Sequence, residues 1–270
     1  MSEFDPPSPI PPPPAGFNGR SAGTPPSLQP LRVDAARGVS WWSEGWRLFS
    51  ASPGVWIGII VVFIVITVMM SMIPLLGTLA TTLLGPVFAG GIMTGCRTQD
   101  RGGTLTLAHL FACFSDHLSP LMIVGLLYLV GSCAIMFFVF CAIFLTVGVG
   151  SIGAIMSGDA MEAGYTLLET FGTAAVIVVL IALLLAIPLV MAYWFAPALV
   201  VFRNAEPWAA MKASFNANLV NMIPMLVYSL VGLGLAIVAS IPLLLGWLVV
   251  APMFAASVYA SYKDIFGAPD

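Results

Sequence analysis

Four long stretches of this chain carry no ionised side chain: Leu48–Cys96, His117–Gly158 (with histidine neutral), Thr170–Phe202 and Ala213–Tyr262. A helix crossing a bilayer needs about 20 predominantly apolar residues. The first stretch has room for two such helices, with a turn near Pro74 and Gly77. The last also has room for two, turning near Pro242 and Gly246. The third holds one. The second holds either one long helix or two short ones.

The basic residues choose between these readings. If the second stretch crosses once, Arg20, Arg32, Arg37, Arg47, Arg97, Arg101, Arg203, Lys212 and Lys263 all fall on one side. The other side receives only Asp159, Glu162 and Glu169. Lysine and arginine in short loops stay cytoplasmic, and acidic residues contribute little to orientation. A seven-helix reading would move Arg203, Lys212 and Lys263 outside. The expected fold is therefore all-α: an integral membrane bundle of six transmembrane helices with both termini cytoplasmic. The expected spans are roughly 54–73, 75–96, 119–147, 171–202, 219–240 and 243–262. The glycine-rich segment Gly148–Gly158 reads as a loop on the outer face, with an interfacial or re-entrant piece as the alternative.

Composition agrees. The chain is 60% hydrophobic and only 8% charged, where a soluble domain is about one quarter charged. A water-soluble globule is excluded. So is a nucleic-acid binder, because 9 basic residues against 12 acidic ones give no polycationic footprint. Residues 1–38 stand apart. They contain the run Pro11–Pro14, which favours polyproline II and builds no core. They read as a disordered, proline-rich cytoplasmic tail ahead of a membrane domain at 39–266.

The hydrophobic pattern repeats. Pro86–Arg97 reads PVFAGGIMTGCR and Pro252–Lys263 reads PMFAASVYASYK. The separation of Pro86 from Pro252 also takes Trp42 to Trp208 and Phe49 to Phe215. Phe114-Ser115 resembles Phe49-Ser50, and Ala196-Pro197 resembles Ala251-Pro252. The chain thus divides into three parallel repeats, roughly 39–101, 104–203 and 205–264. Each consists of a short cytoplasmic amphipathic helix followed by one helix in and one helix out. Repeats that begin and end on the same side are related by an axis near the membrane normal.

The short helices show an apolar stripe. Trp42, Trp46 and Phe49 form the first, Leu107, Leu110, Phe111 and Phe114 the second, and Trp208, Met211 and Phe215 the third. Trp42, Trp46, Phe49, Phe114, Trp208 and Phe215 are the candidate interfacial anchors. Ser40 and Thr104 suit N-caps. Pro86, Pro197 and Pro252 are candidate kinks inside spans, since each deletes a backbone hydrogen bond. Gly54-x-x-x-Gly58 and Gly91-x-x-x-Gly95 are small-residue packing motifs.

Site chemistry is sparse. No Asp, Glu, Lys or Arg falls within an expected span, which argues against a proton-coupled pump or a voltage sensor. Cys96, Cys113, Cys133 and Cys141 make no C-x-x-C. His109 and His117 stand eight apart, not the four of a helical zinc pair. No phosphate-binding, dinucleotide-binding or nucleophile-elbow motif occurs. No catalytic, cofactor-binding or metal-binding residue is expected, and no cofactor.

Val39–Gly58 (VSWWSEGWRLFSASPGVWIG), Leu84–Gly91 (LGPVFAGG), Trp194–Val200 (WFAPALV) and Ala256–Phe266 (ASVYASYKDIF) together resemble a family of uncharacterised proteobacterial inner-membrane proteins. The resemblance covers about residues 38–266. More distantly, they resemble the membrane domain attached to some glycerophosphodiester phosphodiesterases, whose catalytic domain this chain lacks. The resemblance implies the bacterial cytoplasmic membrane and no catalytic residue. Two functions remain in view. One is a structural or accessory membrane protein binding lipid or protein partners. The other is a transporter or channel for a small apolar or neutral solute. A polar cavity lined by Thr67, Ser71, Thr81, Thr82, Thr94, Ser132, Ser229 and Ser240 would favour the second.

Overall fold

The computed structural model describes residues 28–157 and 160–268. Among them the chain is entirely helical apart from turns and connectors. Helix α1 is Arg37–Ala51, α2 Pro53–Ser71 and α3 Leu76–Asp100; a single 3-10 turn, Leu107–Phe111, leads to the one-turn α4, Cys113–Asp116. Then come α5 (Leu118–Ser157), α6 (Ala160–Trp194), α7 (Ala196–Arg203), α8 (Pro207–Val220), α9 (Met222–Ser240) and α10 (Trp247–Phe266).

Five helical stretches among the described residues are long and apolar enough to cross a membrane: Pro53–Ser71, Leu76–Asp100, Leu118–Leu145, Ala163–Arg203 and Met222–Ser240. Six were expected. The sixth, α10, falls short because its last turns carry Lys263, Asp264 and three hydroxyl side chains, Tyr259, Ser261 and Tyr262. Those same turns are its most buried part, packed in protein instead of lipid.

Several expectations on local structure are corrected. Gly148–Gly158 was expected as an outer loop, but α5 runs through it to Ser157, and Gly158 lies outside the described residues. No proline occurs between Leu121 and Ser157, so nothing forces the helix to stop. At 1.5 Å per residue α5 is about 60 Å long, roughly twice the hydrocarbon thickness. The second amphipathic helix shrinks to the 3-10 turn and α4. Thr106, not Thr104, caps that turn: its backbone N–H donates to His109 Nδ1 over 3.1 Å and its hydroxyl takes the reciprocal bond. Helix α1 starts before Ser40, whose hydroxyl donates to Ala36 O. The expected span 171–202 is broken at Phe195, and Pro197 stands in the first turn of α7 instead of kinking a continuous helix. Pro86 and Pro252 lie inside α3 and α10.

The tail boundary also moves. Residues 1–27, with the proline run, lie outside the described residues, but the segment from Leu28 to Ala36 is docked. Leu31 N–H donates to Ile265 O at 2.7 Å. The Asn221 side-chain amide accepts from Val33 N–H and donates to Leu31 O, both at 2.9 Å. Leu28 and Val33 pack on the core.

The short segments each lie on a different helix pair. Helix α1 packs on α9 and α10, the 3-10 turn and α4 on α3, and α8 on α6 with α5 and α7. Close approach explains the small residues there. A Cβ on Gly45 would lie 2.5 Å from Met253 O, and one on Gly91 2.5 Å from His109 O. By contrast Gly54 faces open space, while Gly58 of the same motif lies against Leu107.

Candidate functional site

One end of the bundle gathers the charges. Asp100, closing α3, accepts from Arg47 of α1 at 2.7 Å and from Lys263 of α10 at 2.8 Å. Arg37 pairs with Glu44 and Asp264, and Asp264 also accepts from Trp41 Nε1 at 2.7 Å. Burial draws the Arg37 pKa down, but its hydrogen bonds to Asp264 and Glu44 outweigh that and hold it above its ordinary value. Arg203 donates to Phe266 O at 2.6 Å, and the Arg97 guanidinium lies 4.9 Å from the centroid of the Phe202 ring. Residues from the ends of α3, α7 and α10 and from α1 therefore meet in one layer. Arg37, Glu44 and Asp264, and Arg47, Asp100 and Lys263, form two clasps of hydrogen-bonded ions.

The break at Phe195 is held by α8. In an unbroken helix Phe195 N–H would bond Met191 O. Here Ser214 Oγ sits between them, accepting from Phe195 N–H at 2.9 Å and donating to Met191 O at 2.7 Å. Asn218 Nδ2 adds a bond to Met191 O at 3.1 Å. A side chain inserted in the backbone ladder is one recognised cause of a sharp bend.

The anchors divide into two sets. Trp42 and Phe49 are buried, so they are not available at headgroup depth, correcting that expectation. Trp42 stacks on Tyr228 with centroids 5.0 Å apart and donates Nε1–H to Tyr228 O. Trp46 and Trp208 are exposed, at 51% and 60%. Phe114 and Phe215 are half-buried. The aromatic Trp42 and Trp208, paired in sequence, thus occupy opposite environments.

Beside Trp208 lies a groove of about 760 Å³, walled by α5 and α6 and closed on one side by α8. Its lining is apolar, including Leu127, Gly131, Phe138, Leu189 and Met211, except at one mouth, where Lys212 stands. The Lys212 ammonium lies 5.8 Å from the Trp208 ring centroid and makes no ion pair among the described residues. Sequence reasoning found Trp208 but not the groove, whose walls come from helices far off in the chain. A second apolar cavity, about 290 Å³, lies between α3, α5, α6, α7 and α10; Trp194 lines it, with its indole N–H unpartnered.

The hydroxyls expected to line a polar cavity are all bonded within their own helices. Thr67, Ser71, Thr81, Thr82, Thr94, Ser132, Ser229 and Ser240 each donate to a carbonyl three or four residues back in their own helix. No group of three or more His, Cys, Asp or Glu suited to a metal occurs among the described residues. The four cysteines are free thiols.

A protein of Burkholderia thailandensis described as a probable inner membrane protein is similar to this chain. It is 28% identical over 262 residues, covering 89% of this chain and 94% of the relative. No family model matches. No solved structure matches. The apolar helices and this similarity describe a multi-pass membrane protein.

Proposed function

We propose that this chain is an accessory protein of the bacterial inner membrane that binds lipid through its outer surface, with six crossings and both termini in the cytoplasm. The inner-membrane location follows the similarity to the Burkholderia protein. The observation that carries the lipid reading is the laterally placed apolar groove with a single cation, Lys212, at its mouth. The intrahelical bonding of the eight span hydroxyls supports it, because they supply no shared polar lining for a solute path.

Six crossings draw support from the charge layer. Asp100 touches both Arg47 and Lys263, so the chain returns to one end after α3 and again after α10. Three repeats draw support from burial. Trp41, Trp42, Gly45, Leu48 and Phe49 in α1 are buried at the same spacing as Ala210, Met211, Ser214, Ala217 and Asn218 in α8. Matched so, Trp42 corresponds to Met211, one turn on from Trp208. The turns after α2 and α9 also correspond: Leu75 and Leu244 have φ of 64° and 67°, each two residues before a glycine, Gly77 and Gly246. A Cβ on either glycine would meet a carbonyl seven residues earlier, Met70 O or Ala239 O. The short segments each pack on a different helix pair, as a ring of three units requires.

A second reading, passage of an apolar solute, rests on the cavity lined by Trp194. Mass spectrometry of the chain extracted with its surrounding lipid tests the choice. Reproducible co-purifying lipid or protein supports the accessory role. A bare chain that conducts a neutral solute in proteoliposomes overturns it. Reporter fusions at Thr104 and Glu206 should read cytoplasmic and one at Gly158 periplasmic. A cytoplasmic signal at Gly158 would end the six-crossing reading.

A further inference from the structure

The groove beside α8 has a direction. Lys212 and Trp208 line it from α8, whose Ser214 bonds Met191 near the end of α6, and the walls follow α5 from Leu127 to Phe138. That run is about 16 Å at helical rise, close to half of a hydrocarbon core about 30 Å thick. The groove is therefore about as long as one leaflet is thick. Its volume of about 760 Å³ falls within the range of ligand sites. At its deep end are Ile135, Phe138 and Leu185, with no ionisable group in the lining other than Lys212. A tryptophan belongs at headgroup depth, and a basic pocket between helices at that level recognises anionic lipid.

We propose that this groove seats one anionic glycerophospholipid of the leaflet facing the charge layer, its phosphate on Lys212 beside Trp208 and an acyl chain along Leu127–Phe138. The assignment rests on the lipid-binding reading above and makes it specific. Charge complementarity chooses the occupant. Lys212 has no carboxylate partner among the described residues, and its ring contact leaves the ammonium open to an anion. The apolar floor rejects a free phosphate or a soluble anion, which would gain the cation but leave the groove unfilled. A second copy of this chain would have to bring an acidic group to Lys212.

The test uses the purified full chain, stripped of lipid in mild detergent and titrated with dioleoylphosphatidylglycerol or dioleoylphosphatidylcholine under native mass spectrometry. Wild type should retain one phosphatidylglycerol about fivefold more tightly than phosphatidylcholine. Lys212→Gln should abolish the preference and Lys212→Arg keep it. Ala134→Trp, which fills the groove from a lipid-facing position, should weaken retention of both lipids. Inorganic phosphate should not compete. A preference that survives both Lys212→Gln and Ala134→Trp overturns this site while leaving a lipid-binding protein. Competition by phosphate, or a dimer that Ala134→Trp disrupts, overturns it in favour of a soluble anion or a second copy. Loss of all lipid from wild type without preference overturns the broader reading as well.

Discussion

Ser214 completes the backbone of another helix, and its removal should be felt in a particular way. The Ser214→Ala variant deprives Phe195 N–H of its acceptor at a position that is fully buried. Met191 O keeps one bond, from Asn218. An unsatisfied buried donor costs about 1–3 kcal/mol, and hydrogen bonds between membrane helices run lower, about 0.6–1.7 kcal/mol. The expected loss is about 1–1.5 kcal/mol. Asn218→Ala removes the 3.1 Å bond to Met191 O but leaves the one from Ser214, so it should cost about 0.5–1 kcal/mol. The double variant strips Met191 O of both donors. Its cost should exceed the sum of the singles by about 1 kcal/mol, as residues sharing one partner are coupled. Equilibrium unfolding in mixed micelles, followed by far-UV circular dichroism, measures all three. Amide exchange at Phe195 reports the local state. Strict additivity would refute the shared-acceptor argument. A Ser214→Ala cost below about 0.3 kcal/mol with Phe195 still protected would mean that the N–H re-forms its own bond to Met191 O, so that the break closes and no buried donor is left unsatisfied.

Four further outcomes are expected from the same unfolding assay. Gly45→Ala should destabilise by about 1–3 kcal/mol, because the new methyl would lie 2.5 Å from Met253 O, a backbone atom. Gly54→Ala, with open space around it, should be neutral or stabilise by up to about 1 kcal/mol. Asp100→Asn should cost about 1 kcal/mol at low salt and less at high salt, since it strands Arg47 and Lys263 in a partly exposed layer. Trp42→Ala should cost about 3–5 kcal/mol and Trp208→Ala under about 0.5 kcal/mol, which makes Trp208 the usable probe of the groove.

Charge was the legible signal, because an ion cannot be left in hydrocarbon whatever the fold, so the boundaries of the apolar stretches could be read from Arg47, Arg97, Asp116, Asp159, Glu169, Arg203, Lys212 and Lys263 alone. Identity was a poorer guide than burial. Trp42 and Trp208 look equivalent as letters, yet one is 4% and the other 60% exposed. What positions α1 and α8 is the spacing of the small and apolar residues that touch neighbouring helices, and in α8 those residues leave Trp208 out. Pro197 announced an irregularity near the end of α6. Its place and partner could not be read, because the hydroxyl that bridges the break comes from Ser214 on another helix. The tail was read too long because proline content says nothing of Asn221, whose amide docks Leu31 and Val33 from nearly two hundred residues away.

The groove shows the same limit from the functional side. Trp208 and Lys212 are one turn apart in α8, a pairing plain in the sequence. Read alone it is an exposed aromatic beside an exposed cation, as on many interfacial helices. It joins the proposed groove because α8 lies against the α5–α6 pair, with its Ser214 bonded at the break after α6. The serine bonded at that break stands on the same helix as Trp208 and Lys212. The two sets of variants should therefore be linked. Ser214→Ala, if it lets the break close, should weaken the phosphatidylglycerol preference along with stability, although Ser214 lies outside the groove lining. A closed break with the lipid preference intact would separate the bend from the site.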